Sequence, residues 1–213
     1  MKALLLVDLQ NDFCPGGALA VKEGFQTIEV ANKLMNEFDF VVATQDWHPK
    51  NHKSFAANNE GATMGDYITL NGLSQILWPI HCVQNTFGAA FVSSLQVNKI
   101  NKVFTKGTDA EIDSYSGFFD NGHQKSTGLH KYLQQKKVKE VYVMGLATDY
   151  CVKFTALDAL DLGYKTYLVA DGCRGVNIEV NNVEDALKKM KKKGVKIIDS
   201  GSLKEEIEKK RLK

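Results

Sequence analysis

The chain has 213 residues, 44% of them hydrophobic, and its 27 basic and 25 acidic side chains leave a formal net charge of +2. Such a length and composition fit one globular domain over 1–213, with enough chain to cover both faces of a central sheet. So small a charge excludes the broad basic field of a nucleic-acid or membrane binder and leaves a small neutral ligand in play. The first apolar run is too short for a signal-peptide core or a membrane span. Four cysteines, Cys14, Cys82, Cys151 and Cys173, are scattered with no CxxC pair, which disfavours a disulfide scaffold and a zinc knuckle. The expectation is a cytoplasmic protein with reduced thiols.

In chain order, an apolar run at about 3–7 predicts a strand ending on Asp8. Segment 26–37 sets Ile28, Ala31 and Leu34 or Met35 at helical spacing. A second strand at about 39–44 leads to Asp46. From His48 to about Leu95 the chain is polar and holds two of its three prolines. This reads as an elaborated active-site loop at about 48–95, since loops of that length inside a compact domain are usually functional. A strand at about 102–105 stops on Lys106, and one at about 140–144 runs through Gly145-Leu-Ala-Thr towards Cys151. Segment 150–162 carries Val152, Ala156, Ala159 and Leu160 at helical spacing and closes on Gly163. Further strands are expected at about 165–169 and 195–198. The lysine-rich stretch from Val183 to Lys213 has an apolar stripe of Ala186, Leu187 and Met190, with Glu184, Asp185 and Glu205 offsetting its charge. It reads as a solvated helix face, not a nucleic-acid patch.

Alternating strands and helices predict an α/β fold, a three-layer α/β/α arrangement around a mostly parallel sheet of about six strands. In such sheets ligands bind outside the carboxyl ends of the strands. Asp8, Asp46, Lys106 and Cys151 all stand there. Thr148 or Asp149 is expected to cap the helix that carries Cys151. The thiol would then sit in the first helical turn, where the helix terminus lowers its pKa. The N–H groups of Ala147 and Cys151 can form an oxyanion hole in that turn. A cysteine nucleophile needs a proton acceptor and a cation, and Asp8 and Lys106 supply both types. Each alone also has a bland reading, as a packed thiol, a strand-end cap and a surface lysine. Cys14 and Cys173 read as packing or pocket-lining residues, and Cys82 as a weaker candidate ligand.

Asp46-Trp-His48 places two ligand types on one side of an extended segment. His81, in Trp78-Pro-Ile-His-Cys-Val-Gln84, is the best third. Three protein ligands leave positions open for water or substrate. His52 is left as a fourth ligand, a partner of a ligand, or a solvent-facing residue. His123 and His130 read as structural. No GxGxxG follows the first strand, which excludes a dinucleotide-binding enzyme.

Six spaced blocks carry a family likeness: Ala3-Leu-Leu-Leu-Val-Asp-Leu-Gln-Asn-Asp-Phe-Cys14, Gln45-Asp-Trp-His-Pro49, Trp78-Pro-Ile-His-Cys-Val-Gln-Asn85, Asp113-Ser-Tyr-Ser116, Phe118-Phe-Asp-Asn121 and Gly145-Leu-Ala-Thr-Asp-Tyr-Cys-Val152. In this order they resemble the nicotinamidase branch of the isochorismatase-like cysteine hydrolases, from the first strand to about Asn177. The resemblance implies hydrolysis of nicotinamide to nicotinate and ammonia through a thioester, in NAD salvage, with extension to pyrazinamide-like aromatic amides. It implies a triad of Asp8, Lys106 and Cys151. It also implies one divalent metal ion on Asp46, His48 and His81, with zinc favoured and iron or manganese compatible. The pyridine-ring clamp maps to Phe13, Trp78, Tyr115 and Tyr150, and the oxyanion turn, often with a cis peptide, to Leu146-Ala147. The implied partner is the small-molecule substrate, with no nucleic acid or membrane, and a homo-oligomer is compatible. Another amide or carbamoyl hydrolase of the family and a catalytically silent binding module are the rival readings.

Overall fold

The computed structural model describes residues 1–203, so Glu205 and the rest of the tail's end lie outside the described residues. Six strands form one parallel sheet among them: β1 (Lys2–Val7), β2 (Phe40–Asp46), β5 (Lys102–Lys106), β6 (Glu140–Leu146), β7 (Lys165–Arg174) and β8 (Lys196–Ile198). Their order is β5-β2-β1-β6-β7-β8. Ala3, Leu4, Leu5, Leu6 and Val7 of β1 are all buried. A central strand covered by helices on both faces reads as an unbroken apolar run for that reason.

Helix α1 (Gly24–Leu34) buries Thr27, Ile28, Ala31 and Leu34, one face of a 3.6-residue period, against β6 and β7. Helix α2 (Leu129–Gln135) precedes β6, and α3 (Lys153–Asp161) packs on β6 and β7. Helix α4 (Asn182–Lys193) buries Ala186 and Met190 while its lysines face solvent, as the charge pattern predicts. The crossover from β1 leads to β2 on one side and that from β6 leads to β7 on the other. Right-handed connections therefore put α1 and α3 on opposite faces.

Two departures from the expected elements have clear causes. Strand β7 runs past 169 to Arg174, because a register shift between Val143 and Gly145 lets pairing resume at Gly145 with Cys173 and Leu146 with Arg174. Asp171-Gly172, which looks like a turn in sequence, sits inside that irregular stretch. The long loop also contains a hairpin, β3 (Tyr67–Leu70) and β4 (Leu73–Ile76), paired antiparallel. Its two turn residues, Asn71 (φ 49°) and Gly72 (φ 78°), both occupy the left-handed region. Asn-Gly is the preferred pair for such a two-residue turn.

Candidate active site

The strand order changes direction between β1 and β6, and in open α/β sheets the crevice at that switch receives the ligand. Asp8 follows β1 in a left-handed conformation (φ 50°), a strained state for a residue with a side chain. Cys151 follows β6 across the switch. Lys106 ends β5 two strands away, and the register of β2 with β5 sets it beside Asp46.

From there the Lys106 ammonium reaches all the other groups. Its Nζ lies 2.8 Å from Asp8 Oδ2 and 3.3 Å from Cys151 Sγ, and it donates to the Ser114 carbonyl at 3.0 Å and to Asp46 Oδ1. Asp8 Oδ1 accepts the Thr44 hydroxyl at 2.6 Å. Oδ2 meets the ammonium as an ion pair and has no aligned hydrogen-bond donor. Burial works against a charged lysine, but Asp46 and Asp8 hold the Lys106 pKa well above its ordinary value. Burial raises Asp46 in turn, and the Lys106 and His48 charges more than reverse this, leaving it well below the carboxylate range. For Asp8 burial prevails over Lys106, and its pKa is raised.

The segment after β6 corrects the expectation for Cys151. It opens on a π turn, Thr148–Val152, capped by Ala147 with no side-chain hydrogen bond, and α3 follows only from Lys153. Neither Thr148 nor Asp149 caps it. The thiol is not acidified either. Burial raises its pKa well above the ordinary value, Lys106 offsets part of this, and Asp8 and Asp46 add to the rise. Removal from water beside two carboxylates outweighs the helix terminus. The Leu146–Ala147 peptide is cis.

A second group of donors shares Asp46. Its Oδ2 lies 3.5 Å from His48 Nε2 and 3.8 Å from His81 Nε2. The Nδ1 atoms bond to the carbonyls of Gly107 and Pro79, each at 2.8 Å. Backbone acceptors at Nδ1 fix the tautomer that turns the Nε2 lone pair towards a metal. Ligand atoms of Asp46, His48 and His81 lie within 4.8 Å of one another, a donor set that fits a divalent cation. Gln10 grips the Asp46 backbone from both sides, donating to its carbonyl at 2.8 Å and accepting its N–H at 2.8 Å.

His52 is fully buried, which removes the solvent-facing option. Its Nδ1 accepts the Ser54 N–H at 3.1 Å, its Nε2 has no partner, and its ring stands 4.5 Å from that of His48. Cys82 is buried outside the candidate ligand groups of the described residues. Cys14 and Cys173 are buried, with thiols pushed up to about 11 and about 12 by burial. His123 is exposed and paired with Asp158, whereas His130 bonds to the Tyr164 hydroxyl.

Between the two groups lies a cavity walled by Phe13, Trp78, Tyr115, Tyr150, Ala147 and Cys151. Trp78 and Tyr150 meet edge-on at 4.8 Å between centroids, and Tyr115 and Tyr150 at 5.5 Å. Asp46 and His81 line it too, together with Leu19, Asp113 and Val176, three residues absent from the sequence-based expectation. Asp113 carries a signal, since it opens the same Asp-Ser-Tyr-Ser block as Tyr115. Leu19 and Val176 are single apolar residues in loops and carry none.

The chain matches the Isochorismatase domain over residues 2–202. It is 52% identical over 199 residues to the nicotinamidase of Escherichia coli (strain K12), covering 91% of this chain and 92% of that protein. A solved Acinetobacter baumanii nicotinamidase pyrazinamidase superposes with a TM-score of 0.91 at 45% identity, over 95% of this chain and 97% of the other. The pyrazinamidase of Pyrococcus horikoshii, solved in complex with zinc, gives a TM-score of 0.76 at 40% identity, over 93% of this chain and 98% of the other. With six sequence blocks, the sheet order and the full-length matches in agreement, the chain belongs to the isochorismatase family.

Proposed function

We propose that this chain is a nicotinamidase, hydrolysing nicotinamide to nicotinate and ammonia with Cys151 as nucleophile. The observation that carries the reading is the buried Lys106 ammonium, which contacts Asp8, Asp46 and the Cys151 sulfur at the wall of an aromatic cavity. Asp8, its pKa raised by burial, takes the thiol proton, and the thiolate attacks the amide carbonyl carbon. Lys106 balances the negative charge as it moves from carboxylate to sulfur. The Ala147 and Cys151 N–H groups hold the tetrahedral oxyanion, a task in which one donor is typically worth about 3 kcal/mol. Asp8 passes the proton to departing ammonia, leaving a thioester. Asp8 then takes a proton from water as that water attacks the thioester. Collapse expels the thiolate, which takes the proton back from Asp8, and releases nicotinic acid, which ionises to nicotinate by losing a proton to solvent.

Phe13, Trp78, Tyr115 and Tyr150 stack against the flat ring in this reading. Asp46, His48 and His81 would hold a divalent ion, zinc by likeness to the Pyrococcus horikoshii protein, which when bound supplies a Lewis-acid contact for a ring nitrogen. The reading treats 1–213 as one domain, alone or as a homo-oligomer, acting on a small molecule without nucleic acid or membrane. It includes a cytoplasmic setting, supported by four free and buried cysteines. Among the described residues no helix is long and apolar enough to cross a membrane.

The test is ammonia release from nicotinamide, benzamide and carbamoyl compounds, each with and without a chelator. Nicotinamide is expected to be the preferred substrate, and chelation to weaken it far more than benzamide, which has no ring nitrogen. Preference for a carbamoyl compound would overturn the assignment, and equal chelator effects would remove the role of the ring nitrogen.

A further inference from the structure

We propose that Asp149 is a positioning residue and Val176 a specificity-determining one: the Asp149 carboxylate clasps the segment 175–177 so that Val176 forms a fixed wall of the substrate cavity. The inference deepens the nicotinamidase reading and rests on it.

Asp149 stands in the same π turn as Cys151, one residue before Tyr150, and is buried. It neither caps the turn nor joins the ion pairs of Lys106. Its Oδ1 accepts the Val176 N–H at 3.0 Å and its Oδ2 the Asn177 N–H at 2.8 Å. Two backbone donors on one buried carboxylate form a charge-assisted clamp, stronger than a pair of neutral hydrogen bonds. The clamped residues lie between β7 and α4 and have no ladder of their own. They are held from the other side as well, because Asn177 Oδ1 accepts the Val183 N–H at 3.0 Å at the start of α4. The approach leaves no room at Gly175, where a Cβ would lie 2.0 Å from Val183 Cγ2 and 3.0 Å from Asp149 Oδ1.

Val176 thereby lines the cavity with Leu19, Tyr150 and Cys151. One carboxylate, standing in the turn that carries the nucleophile, fixes the distance from that turn to an apolar wall. The chemistry that fits such a wall is an unsubstituted ring edge. A methyl group on the edge facing Val176 would be excluded sterically, a discrimination that hydrophobic pockets make through single methylene-sized contacts.

The experiment measures ammonia release by the metal-loaded, full-length enzyme from nicotinamide and the series of ring-methylated nicotinamides. It compares wild type, Val176→Ala, Val176→Ile and Asp149→Asn. Val176→Ala is expected to raise KM for nicotinamide about tenfold with kcat little changed, and to improve kcat/KM for at least one methylated amide relative to nicotinamide. Val176→Ile should restore the tight KM and reject that same methylated amide. Asp149→Asn replaces one acceptor with an NH2 group facing a backbone N–H, and should reproduce the Val176→Ala pattern. Two results would overturn the proposal: an unchanged KM and methyl series in Val176→Ala, or an equal loss of kcat on every amide at constant KM in Asp149→Asn. The latter would mark Asp149 as a support of the nucleophile turn alone. Should circular dichroism show that Asp149→Asn does not fold, the two Val176 variants decide. A wild-type enzyme that releases no ammonia from nicotinamide would sink the underlying function instead, and this inference with it.

Discussion

A buried ammonium must find its counter-charges within hydrogen-bond reach, and Lys106, with 0% side-chain exposure, finds them in Asp8 and Asp46. Removing one partner of a buried ion pair usually costs about 3–5 kcal/mol, because the remaining charge stays desolvated and unopposed. Lys106→Met should therefore destabilise the protein by about that amount at neutral pH. The loss should shrink at acid pH, where Asp8 can be protonated. Urea denaturation at two pH values measures this, and a variant as stable as wild type at neutral pH would contradict the ion-pair account. Cys151→Ala leaves that charge balance in place. It is expected to abolish ammonia release from nicotinamide while a bound aromatic amide can still be titrated, and appreciable turnover by the variant would remove the nucleophile assignment. Asp8, Asp46, Lys106 and Cys151 were each legible in the sequence because each follows an apolar run. The salt bridge from Lys106 to Asp46 was not, since it depends on the register that sets Asp46 opposite Lys106. The thiol's acidity was misjudged for a related reason. A helix terminus can be read from residue order, whereas burial beside two carboxylates is a property of the packed molecule.

At the scale of elements, the hairpin of β3 and β4 is the part of the long loop that builds the cavity. Gln75 on β4 is buried, and its side-chain amide donates to the Tyr115 hydroxyl at 3.0 Å and to Asp113 Oδ2 at 3.2 Å. The same hydroxyl accepts Trp78 Nε1–H at 3.1 Å, so two aromatic walls meet on one oxygen. Gln75→Leu keeps an apolar stem of similar size and deletes the donor, leaving a buried carboxylate short of a partner. Stability is expected to fall by about 1–3 kcal/mol, with a higher KM for nicotinamide as the Tyr115 ring loosens. Thermal denaturation together with steady-state kinetics checks both, and an unchanged KM would show that Tyr115 is held by its packing alone. The hairpin's turn carries a short-range signal, Leu70-Asn-Gly-Leu73, that the expectation of a continuous loop at about 48–95 passes over. Its strands were hidden because the aromatic Tyr67 faces solvent while the polar Gln75 is buried, which leaves no clean alternation of apolar and polar positions in the sequence.

For the molecule as a whole, the same switch point that assembles the site also concentrates buried titratable groups there, so stability and site electrostatics respond to pH together. The sheet was legible because both of its faces are covered and its strands read as apolar runs. The burial of His52 was not, because the residues around it, Pro49-Lys-Asn-His-Lys-Ser54, have the composition of an exposed loop. Burial holds the His52 pKa down to about 4 from its ordinary 6.5. Between those values the unfolded chain binds a proton at this residue and the folded chain does not, so stability rises with pH across the window and is lost as pH falls through it. The full difference is worth about 3 kcal/mol. Other groups respond to pH as well, among them His48, where burial works against the charged ring and Asp46 more than reverses this, raising the pKa above its ordinary value. The contribution of His52 is isolated by comparing chelator-treated wild type with His52→Gln. The stability difference between them should shift in favour of the variant by about 3 kcal/mol from pH 7 to pH 4. Denaturant titrations at intermediate pH values trace the curve, and a difference that stays flat across the range would show that His52 is protonated inside the folded protein.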